Sequence, residues 1–226
     1  MNYYREKLSG KRLKLCYDTA PARIKQYLQA EIEYVISHIE PTDSVLELGC
    51  GYGRVTIALA EAAREVTGID NAAENLQLAR KLMNNYNNIN YFTMDAICMD
   101  FPEASFDLVA CIQNGICAFR VDQTALIKEA LRVTRPGGKV IFSSYSAKFW
   151  EERLKWFALQ AKMGLVGEID YSRTGNGVIV CRDGFNAAAL QAEDFKQLFS
   201  PWSCEVFITE VDTSSIFCVA MKKSPD

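Results

Sequence analysis

Residues 45–54 read VLELGCGYGR, and Gly49, Gly51 and Gly53 recur at every second position directly behind the strand-type run SVLEL. A chain that leaves a buried strand through such a bend needs backbone dihedrals that side chains resist, and it lets another group lie against the main chain. Strand, glycine bend and helix in that order are the opening of an α/β unit, and the bend falls on the carboxyl edge of a parallel sheet, where open sheets of this kind bind ligands.

The rest of the chain carries the same alternation. Residues 21–38 place Ile24, Leu28, Ile32, Val35 and Ile36 at helical spacing, with Pro21 suited to a first turn. After SVLEL come a helix over 53–63, the strand EVTGID, and a helix over 72–86 with Leu76, Ala79, Leu82 and Met83 on one face. NNYNNIN ends that helix, the strands INYFTM and FDLVACI follow, and a helix over 122–133 stops at Pro136-Gly137-Gly138 before the fifth strand, KVIFSSY. Such βαβα alternation predicts a parallel sheet with helices on both faces and right-handed crossovers. Beyond Tyr145 the rhythm changes. Residues 147–163 read as one helix, EIDYSRTGNGVIVCRDGF as a hairpin with Gly175, Asn176 and Gly177 at its tip, and 193–199 as a short helix. CEVFITEV and SIFCVAMKK, joined by DTSS, form an antiparallel pair. The expected organisation is one domain: a helical cap over 1–42, a core over 43–145, a helix and hairpin insert over 146–192, and the last helix and strand pair over 193–226.

Composition excludes several classes. Net charge is −3 and pI about 5.4, which argues against nucleic acid as partner. The basic residues Arg5, Lys7, Lys11, Arg12 and Lys14 cluster near the start and suit a solvated face or the steering of an anion. No aromatic residues interleave with a basic stripe as in base-stacking modules. The eight cysteines include no C-x-x-C pair, so no zinc site or other metal site is expected. With no signal-peptide pattern and no membrane-length apolar run, they suit a reduced cytoplasm as small buried hydrophobes. The one histidine, His38, precedes the first strand and reads as structural, which removes histidine-assisted chemistry.

Three acids stand at successive strand ends: Glu47 two positions before the first glycine, Asp70 in VTGID, and Asp95 in FTMDA. A carboxylate beside the bend repels a pyrophosphate and attracts an ammonium or sulfonium, by roughly 4 kcal/mol at a few ångströms and an effective dielectric near 20. Asp70 suits a ribose diol, and Asp95 with the Ala96 N–H suits an adenine edge. The dinucleotide pattern G-x-G-x-x-G fails because Arg54 stands where its last glycine belongs.

These motifs resemble those of class I S-adenosylmethionine-dependent methyltransferases: VLELGCGYGR the first motif, GID the acid of the second, MDA the adenine contact, FDLVACIQN the fourth strand and its sequel, and LRVTRPGGKVIF the approach to strand five. The resemblance covers about residues 43–145. It implies a seven-stranded sheet of order 3-2-1-4-5-7-6 with strand seven antiparallel, and S-adenosylmethionine as cofactor. Glu47, Gly49, Gly51 and Gly53 would then surround its methionyl end, Asp70 and Asn71 its ribose, Asp95 and Ala96 its adenine, and Ile112 and Gln113 with Asn114 the wall beneath the sulfonium.

The acceptor is expected to be a small molecule enclosed by the two embellishments. Candidate residues facing it are Asn114 behind strand four, Tyr17 with Tyr3 and Tyr4 in the N-terminal arm, Tyr145 at the end of strand five, and Tyr171 and Arg173 on the insert, where a guanidinium suits a carboxylate or phosphate. Competing readings are a nicotinamide-dependent oxidoreductase, a methyltransferase acting on protein or RNA, and a nucleoside-binding protein without turnover.

Overall fold

The computed structural model describes residues 3–82 and 85–223. Met83, expected on the helix behind strand two, lies outside the described residues. Seven strands form one sheet: β1 (Ser44–Leu48), β2 (Glu65–Asp70), β3 (Ile89–Thr93), β4 (Phe106–Cys111), β5 (Thr134–Tyr145), and two later strands, Cys204–Val211 and Ser215–Lys222. Two short strands of the insert, β6 (Ile179–Val180) and β7 (Asn186–Ala187), precede that last pair, which is therefore β8 and β9. The sheet order is β3-β2-β1-β4-β5-β9-β8, with β1 to β5 parallel and β9 antiparallel to both its neighbours. This is the 3-2-1-4-5-7-6 arrangement expected from the resemblance.

The helices are α1 (Tyr3–Lys7), α2 (Gly10–Asp18), α3 (Ala22–Ile36), α4 (Arg54–Ala60), α5 (Ala73–Leu82), α6 (Gly115–Ala118), α7 (Gln123–Val133), α8 (Trp150–Lys162) and α9 (Ala192–Phe199). All five residues of β1 are buried because helices cover both sheet faces. Alternation sorts the side chains. Leu46, Leu48, Val109 and Phe142 pack with Ile127 of α7 and Phe195 of α9 on one face, while Val45, Leu108 and Ile141 meet Ile32 of α3 and Leu59 of α4 on the other. Each of these buried side chains contributes roughly 1.5–3 kcal/mol over its exposed state.

Several boundaries have local causes. The helix α7 starts where the Asp122 carboxylate accepts from the N–H groups of Thr124 and Ala125. It ends at Val133, before the proline, because Thr134 already has extended dihedrals and pairs with Phe106. The ladder then shifts register, and residues 135–138 bulge before Lys139 pairs with Leu108. The helix expected over 147–163 begins as a 3-10 turn, Ala147–Phe149, capped by the Ser146 hydroxyl accepting from the Lys148 N–H. In the insert the tip lies where expected, with Asn176 and Gly177 at φ of 48° and 78° between the bridged residues Gly175 and Val178. The Asp170 N–H donating to the Val180 carbonyl, the antiparallel Ile169–Cys181 bridge and the pair β6-β7 hold the insert.

The N-terminal arm folds back over the carboxyl edge of the sheet. Gly10 N–H donates to Asn75 Oδ1 at 2.7 Å and Ser9 Oγ to Glu74 Oε2 at 2.8 Å, fixing the start of α2 to α5. The Tyr3 hydroxyl donates to Asp183 Oδ2 at 2.5 Å, and Arg12 donates to the Gly164 and Leu165 carbonyls, tying the arm to α8 and the insert. Much of the basic cluster is thereby engaged within the chain, since Lys7 also donates to the Asp183 carbonyl and Lys14 pairs with Asp18.

Candidate active site

The bend after β1 has the geometry that its glycines suggested. Gly49 and Gly51 have φ of 72° and 55°, in the left-handed region, and the Gly49 and Cys50 N–H groups both donate to the Ile69 carbonyl of β2. A Cβ built on Gly49 would stand 2.5 Å from the Phe119 ring, so this main-chain surface admits no side chain. Gly53 does not line the cavity described next. It is the N-cap of α4, at φ 86°, and shapes the exit of the bend.

Above the bend lies a cavity with about 1360 Å³ of empty space, open solvent at its mouth included. Its floor is the carboxyl edge of β1, β2, β3 and β4, contributing Glu47, Gly49, Gly51, Asp70, Asn71, Asp95, Ala96, Ile112 and Gln113. Every expected cofactor contact except Gly53 and Asn114 is thus on one surface. Its far end is aromatic, built from Tyr4 and Tyr17 of the arm, Tyr27 of α3, Tyr145 at the end of β5, and Trp156 and Phe157 of α8.

Glu47 is 4 % exposed, and its Oε2 accepts from the Thr56 hydroxyl at 2.5 Å. Burial pushes its carboxyl up to about 7, against the pull of the Thr56 hydrogen bond and the Arg54 charge. Asp70 is shifted upward by burial, which outweighs three stabilising donors. Its Oδ2 accepts from Gly51 N–H at 3.0 Å, and Oδ1 accepts from Ala72 N–H at 2.8 Å and Asn75 Nδ2 at 3.1 Å. A carboxylate offers about four acceptor sites. This arrangement therefore leaves Asp70 one site on Oδ2, and not the pair of sites that a diol held by this side chain alone would use. Asp95 stands exposed at the mouth, with Oδ1 accepting from Ile97 N–H.

Behind β4, Gln113 and Asn114 are consecutive non-glycine residues at positive φ, 56° and 61°. Such dihedrals cost on the order of 1–3 kcal/mol each and persist where surroundings over-determine them. Here Gln113 N–H donates to Glu31 Oε2 at 2.6 Å and to Ser143 Oγ at 2.8 Å. The Asn114 Nδ2 donates to the Ala188 carbonyl at 2.9 Å, and its Oδ1 accepts from Ser144 Oγ at 2.8 Å. Both ends of the Asn114 amide are thereby used, and the side chain is buried without lining the cavity, which removes it as a contact for the acceptor. Gln113 does face the cavity. Its Oε1 accepts from Arg54 Nη2 at 2.6 Å, and its Nε2 is buried without a partner.

Two further candidates stand apart. Tyr171 is 67 % exposed and Arg173 is exposed, both in the turn region of the insert, and neither lines the cavity. The turn ordered by Asp170, whose Oδ1 accepts from Ser172 N–H and Oγ, holds them on the outer surface. Tyr17 and Tyr145 line the cavity. His38 sits at the end of α3, its Nδ1 2.8 Å from the Tyr34 carbonyl, away from the cavity.

Sequence reasoning passed over Tyr27, Arg54 as a wall residue, and the α8 face. The signal for the last was present: Arg153, Trp156, Phe157 and Gln160 follow i, i+3, i+4, i+7 and are the buried residues of that helix. Among the described residues, no group of three or more His, Cys, Asp or Glu is disposed to hold a metal ion.

The residues fit S-adenosylmethionine. A bend whose glycines Gly49 and Gly51 carry no side chain of their own, a buried carboxylate at its rim and an unpartnered amide donor beyond it offer complementary groups to a zwitterionic amino-acid tail, and Asp70 and Asp95 follow along the edge for a nucleoside.

Residues 45–138 match the family described as "Methyltransferase domain". The chain is 27 % identical over 160 residues to the 2-methyl-6-phytyl-1,4-hydroquinone methyltransferase of Synechocystis, covering 63 % of this chain and 50 % of that protein. It is 33 % identical over 111 residues to the ubiquinone biosynthesis O-methyltransferase of Idiomarina loihiensis, covering 47 % and 44 %. The chain thus spans about half the length of the curated relatives it matches. Its fold is shared with a S-adenosylmethionine-dependent methyltransferase of Methanosarcina mazei, with TM-score 0.64, 20 % identity, and coverage of 85 % of this chain and 98 % of that one. Sheet order, glycine bend and strand-end acids agree with the methyltransferase-domain match over residues 45–138 and with the fold shared with that structure.

Proposed function

We propose that this chain is an enzyme that moves a methyl group from S-adenosylmethionine to a small molecule held in the aromatic end of the cavity. The observation that carries this reading is the continuity of the two ends. The strand-edge surface with Glu47, Asp70 and Asp95 runs directly into a chamber roofed by the arm and α8. A roof of that kind suits an acceptor small enough to be enclosed, whereas a peptide or RNA would need an open edge. The oxidoreductase alternative is disfavoured by Glu47 beside the bend and by Arg54 in place of the last glycine.

When bound, S-adenosylmethionine supplies a methyl group already activated on a sulfonium. The chain's own contribution is then alignment and exclusion of water. Glu47 and the Gly49 and Gly51 backbone hold the amino-acid tail, Asp70 and Asp95 the nucleoside, and Ile112 and Gln113 the floor between the two ends. The tyrosines of the chamber stay protonated at neutral pH, because burial raises the hydroxyls of Tyr4, Tyr17, Tyr27 and Tyr145. They serve as hydrogen-bond donors and not as bases. The relatives' printed names, a hydroquinone and a ubiquinone-pathway methyltransferase, also favour a small acceptor. Among the described residues no helix is long and apolar enough to cross a membrane, and the eight free cysteines suit a reducing cytoplasm.

The test is transfer of labelled methyl from S-adenosylmethionine to fractionated cell extract. Label appearing in the small-molecule fraction is the expected result. Label confined to protein or RNA would overturn the choice of acceptor class.

A further inference from the structure

One side chain joins the carboxylate at the end of β2 to the N-terminal arm. Asn75, in the first turn of α5, is 4 % exposed and lines the cavity. Its Oδ1 accepts from the Gly10 N–H at 2.7 Å, and its Nδ2 donates to Asp70 Oδ1 at 3.1 Å. Chemistry fixes the orientation of this amide. A backbone N–H can only donate, so the oxygen faces Gly10 and the nitrogen is left for the carboxylate. A carboxylate in place of Asn75 could still serve Gly10, but it would set a second acidic oxygen against Asp70.

The bridge closes a ring. Asp70 Oδ2 accepts from the Gly51 N–H at 3.0 Å. Leu13 of α2 has its Cδ2 3.2 Å from the position that a Cβ on Gly51 would take. Gly10 enters α2 at φ 56°, a conformation that favours glycine. The glycine bend, the end of β2, α5 and the arm therefore each hold the next, and the edge of the cavity lies within that ring. Burial raises the Asp70 carboxyl, and donors from Ala72, Asn75 and Gly51 oppose the rise, so loss of the Asn75 donor weakens the ionised form. A second anchor of the arm on α5, the Ser9 hydroxyl on Glu74 Oε2, involves neither Asn75 nor Asp70.

We infer that Asn75 is a positioning residue that couples docking of the arm to occupation of the nucleoside site, holding Gly10 with its oxygen and Asp70 with its nitrogen. The inference rests on the methyltransferase reading for the role of Asp70. Local opening of the arm, which releases the Gly10 N–H, is the competing state. Linkage makes the coupling reciprocal: a nucleoside on Asp70 holds the arm down, and a docked arm raises the affinity for the nucleoside. The arm also brings Leu13, Cys16 and Tyr17 to the cavity wall, so the same bridge ties cofactor binding to assembly of the acceptor chamber.

The test combines amide exchange and titration on the full chain. In the wild type, S-adenosylhomocysteine should slow exchange of the Gly10 N–H about fivefold or more, the lower end of ordinary coupling between sites, and slow the Thr124 N–H of α7 less. Asn75→Asp keeps an oxygen for Gly10 and opposes a second carboxylate to Asp70. At pH 8 it should bind S-adenosylhomocysteine about tenfold or more weaker than the wild type, and the deficit should shrink at pH 5.5, where the two carboxylates share a proton. The other acids nearby, Glu47 and Glu74, are common to both proteins and cancel in the ratio of affinities. Ser9→Ala loosens the arm but spares the bridge, and it should keep the affinity within about twofold, because the arm stays mostly docked. No slowing at Gly10, equal slowing at Thr124, an Asn75→Asp affinity equal to the wild type, or a deficit that does not change with pH would overturn the inference. The wild-type exchange result stands whether or not the variant folds. Wild-type protein that does not bind S-adenosylhomocysteine in the titration would overturn the methyltransferase reading and the coupling with it, an outcome distinct from binding without coupling.

Discussion

Replacing Glu47 by Gln should flatten the pH dependence of stability. Glu47 and Glu31 are both buried, at 4 % and 0 % exposure, and burial pushes each carboxyl from 4.5 up to about 7. Their folded values lie above the unfolded ones, so the folded chain binds more protons between about pH 4.5 and 7. The stability they permit is fully present below pH 4.5 and is lost as pH rises through 7. A shift of this size corresponds to roughly 3 kcal/mol for each group. Asp70, also shifted upward, acts in the same direction. The acids shifted downward, such as Glu129 and Asp212, titrate below this window. Urea unfolding of the ligand-free protein at pH 5, 6, 7 and 8 reads the sum, and the wild type should lose several kcal/mol from the lowest pH to the highest. In Glu47→Gln the amide oxygen still accepts from the Thr56 hydroxyl, so the variant should fold and lose roughly half as much. A wild-type curve flat within 1 kcal/mol, or a variant with the wild-type slope, would refute the claim that these carboxylates are held in a low-dielectric site.

Other substitutions separate backbone, cap and site. Gly49→Ala must place a side chain at φ 72° and against the Phe119 ring, costing about 1–2 kcal/mol in urea unfolding and lowering S-adenosylhomocysteine affinity at least about tenfold; unchanged affinity would mean the bend is not the cradle. Asp122→Ala removes the acceptor for the Thr124 and Ala125 N–H groups and should cost about 1 kcal/mol of stability with nucleoside affinity unchanged, a contrast that a site role for α7 would break.

What the chain disclosed in advance follows from how local each cause is. The bend was legible because three glycines at alternate positions have a backbone reason that needs no partner. The strand-end acids were legible because β1, β2 and β3 are short and bounded by clear turns, and β1 and β2 are buried as well. The roof was less so. Tyr27 and the α8 face acquire meaning only once the arm and the insert close over the sheet, a contact between distant parts of the chain. Asn114 shows the same limit in reverse: its position behind β4 was anticipated, but its amide is used by Ser144 and Ala188, and the second of these reaches it only through the folded insert. Tyr171 and Arg173 lie on the insert, and the turn that Asp170 orders through the Ser172 N–H and hydroxyl puts them outside.

The most direct test of the account is calorimetric titration of the folded protein with S-adenosylhomocysteine and, separately, with NADH. Saturable binding of the first at one site per chain, weakened by Asp70→Ala, and none of the second is the predicted result. A folded protein that binds neither S-adenosylmethionine nor S-adenosylhomocysteine, or that prefers the dinucleotide, would contradict it.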